Sequence, residues 1–431
     1  MSVVRTEILP GVFVNCVKSD KFKTATLSVY LLTQHCKETA SLNALVPFVL
    51  RRGTMLYPDM AALGNRLDEL YGSCVEPAVR RFGEIQCIGL YSNFPENRYL
   101  PEPGENILSE ISALLCDILL HPATKGGLFL KDYVESEKVN LINLIESRIN
   151  NKQRYAVSRC IEEMCCYEDF GVGRYGTSDD VEAINYKKLS KHYKSVLSCA
   201  PVEVIYCGSA DPDTVNKTLK ESLIAMPRGE IDWDIGTDVR MNSVEPEARF
   251  VSELGDVNQA KLVMGFRLGE CMEDVSVPAL QMFSGVFGSC TSSKLFMNVR
   301  ERLSLCYYTG SMIDSFKGLL LVSAGIEKSK YDTVREEILR QLDAVCKGEI
   351  SDEEFEGARK TIISSYLAAA DSQSSLESHY LSEFLRGSEL APEDYVGMID
   401  SVTKEEIAEV ANSVELDLIY LLSSAEETEN A

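Results

Sequence analysis

The chain has 431 residues, of which 45% are hydrophobic and 25% are charged, a composition typical of globular proteins and not of disordered or fibrous ones. This length exceeds what one hydrophobic core usually supports and favours two domains of about 200 residues each. The formal net charge of -23, from 43 basic and 66 acidic side chains, argues against general binding to nucleic acids or anionic membranes. Basic peptides stay open as partners, although most acidic surfaces only confer solubility.

Targeting and redox signals indicate a cytoplasmic protein. The first residues lack the basic and apolar regions of a secretory signal, and no run approaches the roughly 18 apolar residues that span a bilayer. Fourteen cysteines are spread thinly along the chain, and no two have the C-x-x-C spacing. We therefore expect reduced, mostly buried thiols instead of disulfides.

The alternation of apolar and polar residues predicts a series of strands and helices in the first half of the chain. Strands are expected at residues 7–17, 24–33, 71–79, 83–92 and 202–207. Helices are expected at residues 41–50, 60–70, 107–120, 131–150, 155–166 and 179–197.

A polar, aperiodic stretch at residues 227–245 is the best candidate for a linker between domains. After it the pattern starts again. Strands are expected at residues 249–254 and 260–266, and helices at residues 277–286 and 292–301.

The second half of the sequence repeats strings of the first. Residues 71–90 align by hand with 308–325, and residues 133–142 align with 355–364. We therefore predict an α/β (α+β) protein of two homologous domains, residues 1–226 and residues 246–431. Each is expected to be a mixed, largely antiparallel sheet covered by helices, and such duplicates commonly face each other across a cleft.

The common metal and phosphate motifs are absent from the sequence. The four histidines form neither H-E-x-x-H nor H-x-x-E-H, the helical spacings that place two imidazoles on one metal; they are His35, His121, His192 and His379. The spacing of His379 and Glu383 is explained better by a solvated helix face than by a zinc pair. The Gly/Ser-rich run 285–293 lacks the Lys-Ser/Thr of a phosphate loop, so we interpret it as a turn before a helix that could meet an extended ligand.

Residues 41–54 read S-L-N-A-L-V-P-F-V-L-R-R-G-T. An apolar run ended by two arginines and a glycine predicts a helix that stops there. Pro47 in its middle has no N–H to donate and is expected to kink or restart the helix. No side chain between Ser41 and Leu50 can bind a metal or move a proton.

The order of elements, the duplication and this stretch together resemble the pitrilysin/insulinase family of zinc peptidases, whose members read G-L-A-H-F-L-E-H-M-L-F-K-G-T near the N-terminus. On that alignment Ala44 and Phe48 occupy the places of the two zinc-binding histidines, and Pro47 occupies that of the general-base glutamate. The third zinc ligand of the family lies in a helix similar to E-R-K-V-V-L-E-E-I. Here the matching string E-K-V-N-L-I-N-L-I places Leu144 at the ligand position. The resemblance therefore implies a degenerate site without zinc, and a chain that does not hydrolyse peptides alone.

The second half departs less from the family pattern. Family members carry L-R-x-x-x-x-L-G/A-Y, whose arginine and tyrosine bind substrate and support the transition state. The string V-R-E-R-L-S-L-C-Y places Arg300 and Tyr307 on those positions, with Tyr308 as the alternative tyrosine. The resemblance implies that both side chains donate to one substrate carbonyl. From the spacing alone, an exposed arginine and a half-buried strand tyrosine explain the pair as well.

The resemblance extends over about residues 1–425 and is greatest to a bacterial branch that lacks the zinc motif and pairs with a zinc-bearing relative. It implies a non-catalytic subunit of a heterodimeric zinc metallopeptidase that binds peptide or unfolded polypeptide. Zinc is expected on the partner subunit, and no cofactor on this chain. Two alternatives stay open: a scaffolding protein that keeps only the fold, and a homodimeric peptide-binding protein.

Overall fold

The computed structural model describes residues 3–101, 106–269 and 277–424. The described residues fall into two compact units. Unit 1 comprises Met1–Glu146, Val172–Gly236 and Ala369–Pro392, and unit 2 comprises Ser147–Gly171, Thr237–Ala368 and Glu393–Ala431. Within the described ranges, no helix has the length and apolar character needed to cross a membrane.

The strands are numbered along the chain. They are β1 Val3–Leu9, β2 Val12–Lys18, β3 Thr24–Gln34, β4 Cys74–Phe82, β5 Ile85–Pro95, β6 Thr124–Lys125, β7 Leu128–Phe129, β8 Val202–Gly208, β9 Arg249–Leu254, β10 Ala260–Arg267, β11 Cys306–Asp314, β12 Leu319–Ile326 and β13 Glu415–Ser423.

The helices are numbered in the same way. The α-helices are α1 Ala40–Leu50, α2 Met60–Glu69, α3 Ile107–Leu120, α4 Lys131–Glu146, α5 Lys152–Met164, α6 Ser178–Glu182, α7 Tyr186–Cys199, α8 Pro212–Leu223, α9 Val277–Ser284, α10 Tyr331–Cys346, α11 Asp352–Ala369, α12 Gln373–Leu385, α13 Pro392–Ser401 and α14 Lys404–Asn412. Two π-helical segments, Gly285–Ser289 and Leu295–Arg302, follow α9.

The two units contain sheets of the same design. In unit 1 the strand order is β1-β2-β8-β3-β5-β4, and in unit 2 it is β11-β12-β10-β13-β9. Counted from the β4 edge of the first sheet, three antiparallel strand pairings are followed by one parallel pairing. The second sheet has the same sequence of pairings when it is counted from its β11 edge. The predicted fold class, two mixed and largely antiparallel sheets covered by helices, is confirmed.

Each unit contains one helix from the other half of the sequence. In unit 2, α5 buries Ala156, Cys160 and Met164 against the sheet, where they share a core with Val263 and Leu321. In unit 1, the equivalent helix α12 packs on the opposite face of the sheet from α1 and contributes to a separate core, whose members include Tyr30, Leu32, Cys87, Leu376, Tyr380 and Leu381. The division of the chain into homologous halves at residues 227–245 stays a proposal, whereas the compact units are not contiguous in sequence.

Three predicted elements differ from the structure, each for a local reason. The strand predicted at 7–17 is the hairpin β1–β2, because Pro10 and Gly11, the latter at φ +66°, form a turn. The helix predicted at 179–197 is divided into α6 and α7, since the side chain of Asn185 caps the amides of Lys187 and Lys188 and starts a new helix. The run 285–293 does not begin as a turn: residues 285–289 continue α9 as a π-helix.

Candidate functional site

Helix α1 carries the residues that align with the zinc motif. It runs without interruption through Pro47, so the helix does not restart there as expected, and the N–H of Arg51 donates to the Pro47 carbonyl at 3.1 Å. Ala44 and Pro47 are buried, and Phe48 is half-buried against the core of unit 1. The predicted helix is therefore present, and its apolar residues serve as packing.

The fourth aligned position lies on α4, which packs against α1. Leu144 is 41% exposed there. A methyl, a pyrrolidine ring, a phenyl and an isobutyl group offer no donor atom to a metal, so these four residues do not fit zinc. Within the described ranges, no group of three His, Cys, Asp or Glu residues is placed to hold a metal ion.

The acid retained from the aligned helix is engaged within the protein. Glu137 is buried and accepts hydrogen bonds from Arg52 at 3.1 Å and from the amide of Asn140 at 3.0 Å. Its carboxylate ties the end of the α1 segment to α4, which is a structural role.

A polar chain that the sequence did not reveal lies beside Ala44. The His192 imidazole Nε2 is 2.6 Å from the Asn43 side-chain oxygen, and the Asn43 amide donates to Gln86 at 2.9 Å. Burial, with a smaller effect of nearby Lys188, lowers the pKa of His192 to about 4. The imidazole is thus neutral at pH 7, and its N–H anchors α1 to α7. His192 and Asn43 are 149 positions apart in the chain, so no local sequence signal indicates their contact.

Arg300 and Tyr307 are brought together in unit 2. Arg300 is on the π-helical segment Leu295–Arg302, and Tyr307 is at the start of β11. Both line one open hollow of about 350 Å³, together with Glu301, Glu327 and Lys330. Family-based alignment paired the two residues, and the structure places them in the same concave surface.

A β-bulge determines where Tyr307 lies. In the pairing of β11 with β12, Cys306 faces Ile326 and Tyr308 faces Gly325, so Tyr307 is the extra residue between them. Bulges re-aim side chains and are common beside binding sites. Tyr307 is accordingly 76% exposed, and its hydroxyl is accessible to a ligand.

The charges around Arg300 are balanced. The guanidinium lies 4.7 Å from the ring centre of Phe296, and its Nε is 3.4 Å from a carboxylate oxygen of Glu301. Across the hollow, Lys330 pairs with Glu327 at 3.1 Å. Because both cations are paired with acids, the hollow does not select charged side chains. It offers a guanidinium and a phenol as donors to a neutral carbonyl.

Two neighbouring side chains, Cys306 and Tyr308, differ from Tyr307 in what they offer a ligand. Burial raises the pKa of Cys306 to about 11 although Arg300 opposes the shift, so the thiol stays protonated at pH 7 and is a poor nucleophile. Tyr308, the alternative tyrosine, does not line the hollow of Arg300; it lines a second hollow with Lys261. The geometry therefore favours Tyr307 as the companion of Arg300, and the role of the pair stays a prediction.

Replacing Ala44 by histidine is expected to lower the free energy of unfolding by about 1–3 kcal/mol, because an imidazole would overpack a fully buried place. The control is Leu144→Glu, at the exposed aligned position, which should change stability by less than about 0.5 kcal/mol. Urea unfolding of both variants measures the difference. Equally small effects would mean that the space beside Ala44 accepts an imidazole, contrary to the packing described above.

Comparisons with known proteins identify the family to which the chain is similar. The family model described as the Peptidase M16 inactive domain matches residues 183–362. The Bacillus subtilis (strain 168) protein named "Probable inactive metalloprotease YmfF" is 32% identical over 418 residues, which are 96% of this chain and 96% of that protein.

Two solved structures share the fold over nearly the whole chain. A conserved protein from Enterococcus faecalis V583 superposes with a TM-score of 0.87 at 27% identity, covering 98% of this chain and 99% of that chain. A peptidase M16 inactive domain from Pseudomonas fluorescens superposes with a TM-score of 0.77 at 13% identity, covering 99% of this chain and 98% of that chain. The second likeness is one of fold alone.

Proposed function

Since the chain belongs to the M16 (pitrilysin/insulinase) peptidase family as a non-catalytic member, we propose that it is the zinc-free subunit of a two-chain metallopeptidase. In this proposal a zinc-bearing M16 relative supplies the metal, its water and the general base. This chain binds the peptide and presents Arg300 and Tyr307 to the scissile carbonyl. The observation that carries the proposal is that the metal-donor positions are apolar while the arginine and tyrosine share an open hollow.

The chemistry of the pair suits a supporting role. When water attacks a peptide carbonyl, negative charge develops on the carbonyl oxygen. A fixed guanidinium and a phenol hydroxyl can each donate a hydrogen bond to that oxygen, and removing one such donor typically lowers kcat by about 100-fold or more. Arg300 needs no proton transfer to act, because a guanidinium is always charged. Its neighbours are the Phe296 ring, 4.7 Å from the guanidinium, and the Glu301 carboxylate, 3.4 Å from Nε.

The same surroundings support one alternative. Because Arg300 already has an acidic neighbour in Glu301, it also has the surroundings of an ordinary surface ion pair. A protein that kept the M16 fold only as a scaffold would have the same contacts and would gain nothing from Tyr307. The two proposals differ in what happens to catalysis when the pair is removed.

The test uses the full chain reconstituted with a zinc-bearing M16 relative from the same organism. Arg300→Ala and Tyr307→Phe are each expected to lower kcat of the pair by about 100-fold with a smaller change in KM. The matched control is Arg302→Ala, two residues along the same helix and outside the hollow, which should leave kcat unchanged. An unchanged kcat in both test variants would favour the scaffold.

The chain alone provides an independent check. It is expected to contain no stoichiometric zinc and to cleave no peptide, because the aligned residues supply neither ligand nor base. Metal analysis and a peptide-cleavage assay with and without a chelator measure this. Stoichiometric zinc together with chelator-sensitive cleavage would overturn the proposed function.

A further inference from the structure

Unit 2 contains a second hollow, of about 590 Å³, that the proposed function does not use. Its lining is polar and comes from three segments: residues 150–153 before and at the start of α5, residues 256–259 before β10, and the side chains of Lys261 and Tyr308. Neither Arg300 nor Tyr307 lines it. A volume of this size is in the range of sites for small molecules or a few peptide residues, about 300–1,000 Å³.

The floor of this hollow is fixed by the register of three strands. Tyr308 of β11 and Lys261 of β10 both face Gly325 of β12, so the three residues form one row across the sheet. A side chain at position 325 would place its Cβ 2.5 Å from the Tyr308 ring and 2.8 Å from the Gln259 oxygen. Glycine is therefore required for the tyrosine ring to lie over the row. The Gln259 amide also donates to the Gly325 carbonyl at 3.0 Å, which holds the rim in place.

Lys261 and Tyr308 each bring one hydrogen-bond donor group to this floor. The Lys261 ammonium lies 5.5 Å from the centre of the Tyr308 ring and donates to Gln259 at 3.3 Å. The Tyr308 hydroxyl is buried, and among the described residues it has no hydrogen-bond partner. A buried hydroxyl without a partner costs about 1–3 kcal/mol, and a ligand acceptor relieves that cost once a small shift of the ring exposes the hydroxyl. The floor thus has more protons to donate than acceptors to receive them.

The local charge is opposite to that of the whole chain. Lys152 and Lys261 line the hollow against a single acid, Asp256, although the protein as a whole carries a net charge of -23. Two cations and a phenol select an anion that offers several acceptor atoms. A carboxylate has two oxygens with about four lone-pair sites and matches this set.

We propose that the second hollow binds the carboxylate of a peptide, with Lys261 as its direct donor and the Tyr308 hydroxyl as a second donor once a small shift of the ring exposes it. The inference rests on the proposed function only in taking the ligand to be a peptide. The carboxylate could come from the C-terminus of the peptide or from an acidic side chain near it. A C-terminal carboxylate fits the row of Tyr308, Gly325 and Lys261 better than an acidic side chain does. The row begins at Tyr308 on β11, which is an edge strand, and the end of an extended peptide can enter across that edge.

The test is a binding experiment on the isolated full-length chain without a partner subunit. The probe is dansyl-Ala-Ala-Leu-Ala-Leu with a free carboxylate, compared with its C-terminal amide and with an amide in which the last residue is glutamate. The free acid is expected to bind at least tenfold more tightly than the plain amide. Tight binding of the glutamate amide instead would support the same site with an acidic side chain as its source.

Variants assign the binding to this hollow. Lys261→Met is expected to reduce binding of the acid to the level of the plain amide, and Tyr308→Phe to weaken it several-fold. Lys328→Met, at a half-buried lysine outside the hollow, is the matched control and should change nothing. Thermal unfolding of each variant verifies that it is folded, and a conservative Lys261→Arg variant should retain binding if the Lys261→Met protein is unstable.

Equal binding of acid and plain amide, binding that Lys261→Met leaves unchanged, or no binding of any probe at millimolar concentration would overturn the inference. These outcomes are separate from a failure of the proposed function. They involve no partner subunit, no catalysis and neither Arg300 nor Tyr307.

Discussion

Replacing Glu377 by alanine is expected to lower the free energy of unfolding of unit 1 by about 3–5 kcal/mol. Glu377 is fully buried on α12, where it pairs with Arg80 at 2.6 Å. It also accepts hydrogen bonds from the hydroxyls of Tyr30 at 2.8 Å and Ser28 at 2.9 Å. The substitution would leave the two buried hydroxyls without their acceptor and Arg80 without its counter-charge, and each loss costs free energy.

Urea unfolding combined with amide hydrogen exchange in β3 and β5 measures this effect in unit 1. The control is Glu69→Ala, which removes an exposed pair with Arg66 and should change stability by less than about 0.5 kcal/mol. A Glu377→Ala protein as stable as the control variant would show that α12 is held by its apolar residues alone.

Replacing Arg267 by methionine is expected to destabilise unit 2 by a similar amount, about 3–5 kcal/mol. The Arg267 guanidinium is fully buried and pairs with Asp417 at 2.9 Å and with Glu168 at 2.6 Å. After the substitution, Glu168 would keep Lys317 at 2.8 Å and Asp417 would keep Arg249 at 3.3 Å. The buried Asp417 and the half-buried Glu168 would then have fewer cations nearby, in a medium that screens charge more weakly than water does.

The pH dependence gives this prediction a second readout. Burial acts to raise the pKa of Glu168, but hydrogen bonds from Arg267 and Lys317 hold the pKa below its usual value of 4.5. A carboxyl whose folded-state pKa is depressed stabilises the protein above its unfolded-state value, and this contribution is lost as the pH falls through the folded-state pKa. The native chain should therefore lose more stability than the Arg267→Met variant as the pH falls below about 4.5.

Lys347→Met is the matched control for Arg267→Met, because Lys347 pairs with Asp343 at the surface of the same unit. Its stability and its acid unfolding should both match those of the native chain within about 0.5 kcal/mol. If Arg267→Met also matches the native chain at neutral and at acid pH, the buried ions do not contribute as described.

Local periodicity predicted the positions of most elements, because burial of one face imposes a repeat that is visible in the sequence. The strand predicted at 24–33 is β3 at Thr24–Gln34, and the helix predicted at 107–120 is α3 with the same limits. The sequence shows that Ala156, Cys160 and Met164 form an apolar stripe on α5. It does not show which sheet covers that stripe. The covering sheet is that of unit 2, which is formed mainly by the second half of the sequence.

The pairing of Arg300 with Tyr307 was expected from the family resemblance and not from the spacing alone. Seven residues separate Arg300 from Tyr307, and the structure places both in one hollow. The family alignment favoured Tyr307 and kept Tyr308 as the alternative, and the bulge in the pairing with β12 places Tyr307, not Tyr308, in the hollow of Arg300. The second hollow was not predicted, because the row that includes Lys261 is created by strand register.

The exchange of α5 and α12 between units has a consequence for biosynthesis. Ser28 and Glu377, which are hydrogen-bonded in the folded protein, are 349 residues apart in the chain. At about 5–20 residues per second, a ribosome needs roughly 17–70 s between these two residues. The first sheet can be completed once β8 has been synthesised, but the face that α12 covers, including Tyr30 and Leu32, lacks its helix until residues 373–385 follow. The nascent chain thus carries an incomplete apolar surface until translation is nearly finished.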